Sequence, residues 1–264
     1  RHYRRQRQMC IRDRNKGLNI NQCGKVIIPQ RKELDNQLDR LISRGESNGA
    51  KVELIDNERL NSILPGIQSK SGRAIWSPNT SVVKPIEIIN SLQNELEQKG
   101  VKILKSAIIS KFDIENRKLT LSDSSYIKYM HLINCAGLNA DKVAHAFEIG
   151  KDYKILPFKG LYWRLRKNCP FNIKTNLYPV PDLNVPFLGV HFTPSSLPEE
   201  QISIGPTAIP AFGRENYYGF TGLEPTMLIE NLLLLGKQYF LNKGGFRKYV
   251  NDQAFLSFPP LFFK

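Results

Sequence analysis

The sequence predicts a mixed α/β fold, and three observations predict it. A short apolar run at Leu132-Ile133 stops at Asn134, turns through Cys135, Ala136 and Gly137, and leads into the helix-spaced stretch Lys142 to Phe147. Upstream of that corner, apolar runs of strand length alternate with stretches whose apolar residues recur at helical spacing. From Tyr153 to Ile209 the pattern changes to short alternating or apolar runs separated by Pro, Gly, Asn and Asp, which is the pattern of antiparallel sheet. At 264 residues the chain is long enough for one large domain or two small ones around a substantial core.

Taken in order, QCGKVIIP (22–29) reads as a strand with Val26, Ile27 and Ile28 buried. Arg31 to Arg44 reads as a helix, with Leu34, Leu38, Leu41 and Ile42 on one side, closed by Gly45 and the Asn48-Gly49 pair. Val52 to Leu54 is a brief strand. Asp56 is placed to cap a helix through Leu60 and Ile63 that stops before Pro65. Residues 77–83 form a turn into a helix opened by Pro85, with Ile88, Ile89, Leu92 and Leu96 as its buried stripe and Gly100 as its stop. Val101 to Leu104 reads as a strand. It is followed by Ala107 to Ile109, Lys111 to Ile114 and Lys118 to Leu121, a meander turning at Glu115-Asn116 and feeding the run at Leu132. The antiparallel region contains Lys159 to Arg166, Asn176 to Val180, Phe187 to Phe192 and Gln201 to Ile204 as strands. Pro225 to Leu241, with Met227-Leu228-Ile229 and Leu232 to Leu235, reads as a buried helix, and Phe246 to Phe255 as another. The uncapped aromatic end Pro259 to Lys264 reads as a truncation.

Composition narrows the function classes. The hydrophobic share of 41% and the charged share of 23% are those of a globular protein. No apolar run approaches the roughly 20 residues that span a bilayer, and the first residues lack the apolar core of a signal peptide. Cys10, Cys23, Cys135 and Cys169 are scattered, without CxxC spacing, so neither a metal site nor a disulfide framework is expected. That cysteine usage points to a reducing, cytoplasmic setting. The net charge of +14 raises the question of nucleic acid, but residues 1–14 carry six Arg against one Asp. Their string MCIRDR resembles translated sequencing-adapter DNA, so residues 1–14 read as a non-native tail outside the fold. The remaining positive charge is interspersed with acids and fits a basic surface facing anionic substrates or lipid headgroups. No nucleic-acid-binding motif accompanies it.

The corner at 132–141, LINCAGLNAD, has chemical potential of its own. A strand ending in small residues before a helix lets backbone N–H groups approach a phosphate, and Ala136 and Gly137 put no bulky side chain in the way. The same string fits an ordinary strand-turn-helix corner. Its NCAGL-x-AD pattern resembles the second flavin-contacting turn of FAD-dependent oxidoreductases of the D-amino-acid-oxidase type. ILPFKG (155–160), LYPVPD (177–182) running on to PFLGVHFT (186–193), and IGPTA (204–208) resemble the L-2-hydroxyglutarate oxidase/dehydrogenase branch. The resemblance runs from about Gly17 to the end of the chain.

The resemblance implies an incomplete FAD-binding Rossmann-like domain joined to an antiparallel substrate-binding sheet. On it, 15–76 belongs to the substrate domain, 77–150 to a partial FAD-binding domain, 151–224 to the substrate-binding sheet, and 225–264 to a truncated helical segment. The implied cofactor is FAD, contacted by backbone at Ile108, Cys135, Ala136, Gly137 and Leu138, with Thr80 near its entrance. The implied reaction oxidises an L-2-hydroxy acid to the 2-oxo acid by hydride transfer to flavin. His191 is the candidate proton acceptor, since an imidazole takes a proton near physiological pH and alternation sets it opposite Val190 and Phe192. A hydrogen-bonded sheet histidine is the bland reading. Lys159 is a candidate partner for a substrate carboxylate, where the family often has Arg. Tyr162 and Tyr178 are candidate hydrogen-bond donors; solvation for the lysine and packing for the tyrosines are the competing roles. Lys84 and Leu161 stand where the family more often has acids. No GxGxxG occurs in these residues, so the chain by itself is expected to hold FAD weakly. A flavin amine oxidase and a non-catalytic sheet module are the alternative functions. Peripheral attachment at the inner face of a membrane is compatible with the family, and the sequence does not specify an oligomeric state.

Overall fold

A computed structural model describes residues 12–166, 169, 173–181, 189–195 and 201–256, with the side chains of 254–256 excepted. Residues 1–11 of the expected tail, Asp182, the Pro186-Phe187-Leu188 part of the sheet motif, and the Pro259 to Lys264 end lie outside the described residues. The strands are β1 (Ile20–Asn21), β2 (Lys25–Ile28), β3 (Glu53–Asp56), β4 (Arg73–Ser77), β5 (Val82–Val83), β6 (Ile109–Asp113) and β7 (Lys118–Leu121). They continue with β8 (Tyr126–Lys128), β9 (Phe158–Lys159), β10 (Trp163–Arg164), β11 (Asn176–Pro179), β12 (His191–Thr193), β13 (Ser203–Gly205) and β14 (Ile209–Pro210). Helices run over Asn36–Ser47, Asn57–Ile63, Pro85–Gln98, Ala140–Ala146, Pro225–Leu241 and Phe246–Leu256.

The described residues divide into two compact units, each drawing on separated stretches: those within 1–95, 160–209 and 244–264 form one, and those within 96–159 and 210–243 the other. The first is built on a seven-stranded sheet in the order β10-β13-β12-β11-β2-β4-β3. Its neighbours are antiparallel except β11 beside β2, which is parallel. Alternation along β2 divides the core. Val26 faces Ile55, Leu60, Leu64, Ala74 and Leu177 on one side, while Ile27 packs with Leu38, Ile75 and Val180 under the Asn36–Ser47 helix on the other. β4 is a central strand that the sequence reading did not assign; Ala74 and Ile75 are 0% and 2% exposed. Asp56 caps its helix as expected, accepting from Arg59 N–H at 2.8 Å. Gly24, at φ +70°, is required by close packing, because a Cβ there would stand 2.0 Å from the Trp76 ring.

Part of the stretch expected to be non-native packs onto this unit. Asp13 is 1% exposed, and Arg12 binds Asp13 at 2.9 Å and Glu95 at 2.8 Å. Lys16 reaches the same Glu95 at 3.0 Å.

The second unit carries the meander β6-β7-β8. Its hairpin pairs Phe112 with Leu119 and Asp113 with Lys118, turning at Glu115-Asn116 as the sequence indicates. Four expectations fail around it. Val101 to Leu104 forms no strand, and Val101 and Leu104 are each 46% exposed. Leu132-Ile133 also forms no strand, and Ile133 is 82% exposed. A strand is stable only when a neighbour accepts and donates its backbone hydrogen bonds, and no described strand lies beside either stretch. The stripe of the Pro85–Gln98 helix is only partly covered: Ile88 is half-buried, but Ile89, Leu92 and Leu96 are exposed. The Pro225–Leu241 helix buries Met227 and Asn231 but leaves Ile229, Leu232 and Leu233 more than half exposed. Its apolar residues run round the circumference, and among the described residues it buries only Met227 and Asn231.

Candidate active site

The sheet register assembles a polar cluster at one end of the face opposite Val26. β11 pairs Asn176 with Lys25 and Tyr178 with Ile27. Its pairing of Leu177 with Phe192 then sets His191 beside Tyr178 and Thr193 beside Asn176. His191 and Thr193 pair in turn with Gly205 and Ser203. Successive side chains alternate between faces, so Lys25, Asn176, Tyr178, His191 and Thr193 share one surface, while Val26, Leu177 and Phe192 serve the core behind it.

His191 is 6% exposed. Its ring stacks on Tyr178 with centroids 4.0 Å apart and planes 14° from parallel. Nδ1 lies 3.0 Å from the Gly189 carbonyl. A carbonyl only accepts, so this bond puts the proton on Nδ1 and leaves Nε2 as an acceptor. Burial lowers the pKa of His191, and the charge of Lys25 adds to that effect, so the ring is held neutral. Burial raises the phenol of Tyr178, while a hydrogen bond with Thr193 opposes the shift. Tyr162 is exposed, yet close enough to Tyr178 to act on its ionisation. Lys25 stands over the other partner in the stack, its Nζ 5.4 Å from the Tyr178 centroid. Beneath the cluster, Asn176 Nδ2 lies 2.8 Å from the Gly24 carbonyl and 3.2 Å from Cys23 Sγ, and burial pushes the Cys23 thiol up. Thr80, expected near a cofactor entrance, uses its carbonyl to accept Gly24 N–H at 2.9 Å and its hydroxyl to bond Ser77 at 3.3 Å.

The second unit holds the turn. Cys135, Ala136 and Gly137 are exposed and Leu138 is half-buried. Asn134 ties the turn together: Oδ1 accepts from Ala136 N–H at 3.2 Å and Nδ2 donates to the Ala140 carbonyl at 2.8 Å. Arg214, 7% exposed, anchors it from below. Its guanidinium donates to the Leu138 carbonyl and to both oxygens of Asp141, at 2.6 and 2.8 Å. That fork holds the Asp141 carboxyl at a pKa of about 2. Lys159 belongs to this unit and donates to Asn216 Oδ1 at 3.0 Å. Ile108 is 67% exposed, and its carbonyl is taken by Ser122 N–H at 2.9 Å.

Sequence reasoning thus named His191 and Tyr178, which the register brings together, and missed Lys25 and Arg214. For Lys25 the available signal was a lone cation opening the buried run Val26-Ile27-Ile28. Arg214 had none, because its carboxylate lies 73 residues away along the chain.

Residues 2–242 match the family described as DAO, FAD dependent oxidoreductase. The chain belongs to this FAD-dependent family. It is 37% identical over 229 residues to a mitochondrial L-2-hydroxyglutarate dehydrogenase of Caenorhabditis briggsae, covering 83% of this chain and 51% of that protein. The human protein of the same name is 29% identical over 243 residues, covering 85% and 52%. The chain therefore spans about half the length of the curated relatives it matches. Among solved structures, L-α-glycerophosphate oxidase of Mycoplasma pneumoniae gives a TM-score of 0.63 at 17% identity, over 81% of this chain and 56% of that one. L-proline dehydrogenase of P. horikoshii gives 0.62 at 17% identity, over 91% and 62%. At that identity the likeness shows the fold.

The turn residues fit the family's cofactor. A Cβ added to Gly137, at φ +54°, would meet no atom within 4 Å, so its backbone is open to an approaching diphosphate. The N–H groups opening the helical turn at Gly137–Asn139 have no acceptor within it. Beside them, Arg214 Nε is buried without a hydrogen-bond partner among the described residues. Backbone at Ala136, Gly137 and Leu138 would hold FAD, which supplies the hydride acceptor when bound. Among the described residues no group of His, Cys, Asp and Glu could hold a metal ion, and no helix is long and apolar enough to cross a membrane.

Proposed function

We propose that the protein to which these residues belong oxidises an L-2-hydroxy acid, of the kind represented by L-2-hydroxyglutarate, to the 2-oxo acid with FAD as acceptor. The observation that carries this reading is the state of His191. It is buried, kept neutral, and locked by the Gly189 carbonyl into the tautomer with a free Nε2. Removing a hydride and a proton from a secondary alcohol requires a group that takes the hydroxyl proton as the C2–H departs as hydride to the acceptor. Nε2 of His191 accepts that proton, and the Tyr178 ring packed flat against the imidazole holds its plane. The hydroxyls of Tyr178 and Tyr162 are donors for the substrate's carboxylate or hydroxyl oxygen.

The names of the relatives support the substrate class, and the two dehydrogenases named above are mitochondrial. That gives no support to the cytoplasmic setting expected from cysteine usage. The test is a panel of L-2-hydroxy acids and amino acids added anaerobically to the flavin-loaded protein, read by loss of flavin absorbance. Bleaching by 2-hydroxy acids is the expected result; bleaching by amino acids alone would establish the amine-oxidase alternative instead.

A further inference from the structure

We propose that Lys25 is the cation that receives a substrate carboxylate, a role the sequence reading gave to Lys159. Three features of the first unit carry the assignment. Lys25 opens β2 on the face shared by Tyr178 and His191, one strand from the tyrosine and two from the histidine. Its Nζ lies above the tyrosine that stacks on the imidazole. Among the described residues no Asp or Glu oxygen lies within 4 Å of that ammonium. Three acids of the unit are committed elsewhere: Asp35 and Asp39 to Arg73, and Glu95 to Arg12 and Lys16.

A half-buried ammonium without a counter-ion is costly unless an anion arrives to share the desolvated site. The neutral His191 cannot supply attraction for a carboxylate. Lys159, by contrast, already donates to Asn216 Oδ1. Of the other cations that the register places on this face, Arg73 is held by Asp35 and Asp39, and Arg164, paired with Ser203, stands on the far edge strand and is exposed. A carboxylate on Lys25 would lie beside the tyrosine and leave Nε2 of His191 open for the hydroxyl.

This assignment rests on the proposed hydroxy-acid reading for its substrate, and binding separates the two. Glutarate, a dicarboxylate with no hydroxyl to oxidise, is titrated into the flavin-loaded protein by calorimetry. Lys25→Met is expected to weaken glutarate about 10- to 100-fold, the loss of one charge-assisted hydrogen bond. Lys25→Arg should retain most of the affinity, and Arg164→Gln should leave it within about threefold. In wild-type protein, glutarate should protect Lys25 from acetylation, read by mass spectrometry; this measurement stands even where a variant fails to fold. Unchanged glutarate affinity in Lys25→Met, or affinity lost only in Lys159→Met, would overturn the assignment. So would acetylation of Lys25 at the same rate with and without glutarate. Glutarate binding that depends on Lys25, in a protein that bleaches with no 2-hydroxy acid, would keep the anion site and discard the reaction.

Discussion

At the scale of single residues, the proposed proton acceptor His191 and the turn anchor Asp141 can be tested separately. His191→Gln keeps a polar side chain in the stack with Tyr178 but has no basic nitrogen at Nε2. Its expected effect is a fall in kcat on the order of 10²- to 10⁴-fold with a much smaller change in KM. The lowered pKa of His191 also fixes the direction of the pH profile. The ring is neutral above its folded value, so the acid limb of kcat/KM should fall below the ordinary 6.5, with a plateau already reached at pH 7. For stability the sign is opposite to that of a paired histidine. As pH falls through 6.5 the unfolded imidazole takes a proton that the folded one refuses, and stability drops. Asp141 is the second group. Its pKa of about 2 lies below the usual 3.8, so its contribution is full above about pH 4 and is lost as pH falls toward 2. Asp141→Ala strands the buried Arg214 guanidinium and should cost about 3–5 kcal/mol in urea unfolding. It should also loosen the Leu138 carbonyl that Arg214 holds.

At the scale of elements, helices that look alike in sequence differ in what covers them. Leu60 in the Asn57–Ile63 helix is 0% exposed, whereas Ile89 in the Pro85–Gln98 helix is 58% exposed. Leu60→Ala should cost about 2–5 kcal/mol, while Ile89→Ala should stay within about 0.5 kcal/mol of wild type, both read on the 264-residue chain. The same contrast applies to strands. Lys118 to Leu121 became a strand because the run at Ile109 to Asp113 folds back on it within one hairpin. Val101 to Leu104 has no strand beside it among the described residues. Gly24 belongs to this scale as well, because it sets how closely β2 approaches β4. Gly24→Ala combines a left-handed backbone with a Cβ inside the Trp76 ring. A loss above about 1 kcal/mol is expected, with thermal unfolding as the measurement.

For the whole molecule, family membership and the open turn at Gly137 make FAD the cofactor, yet these 264 residues contain no GxGxxG. A diphosphate held by one turn alone lacks the helix N-terminus and close backbone approach that the motif supplies. The chain purified as it stands should therefore carry FAD well below one to one, measured as flavin absorbance against protein. A near-stoichiometric yield would show that the turn and its Arg214 anchor suffice.

By itself, the sequence determined whatever depends on nearest neighbours along the chain. It gave the cap at Asp56, the turn at Glu115-Asn116, the alternation that turns His191 away from Phe192, and the string around Cys135 to Leu138 that carries the family resemblance. Partners distant along the chain were settled only by the tertiary structure. Which cation stands beside His191 follows from β2 lying parallel to β11, 151 residues apart at the Lys25–Asn176 pair. Whether an apolar run is buried follows from whether a second element reaches it, as one reaches Ile75 and, among the described residues, none covers Ile133. Hydrophobicity and period are properties of a segment, but burial and ionic pairing require two segments, and their pairing is fixed only when the sheet closes its register.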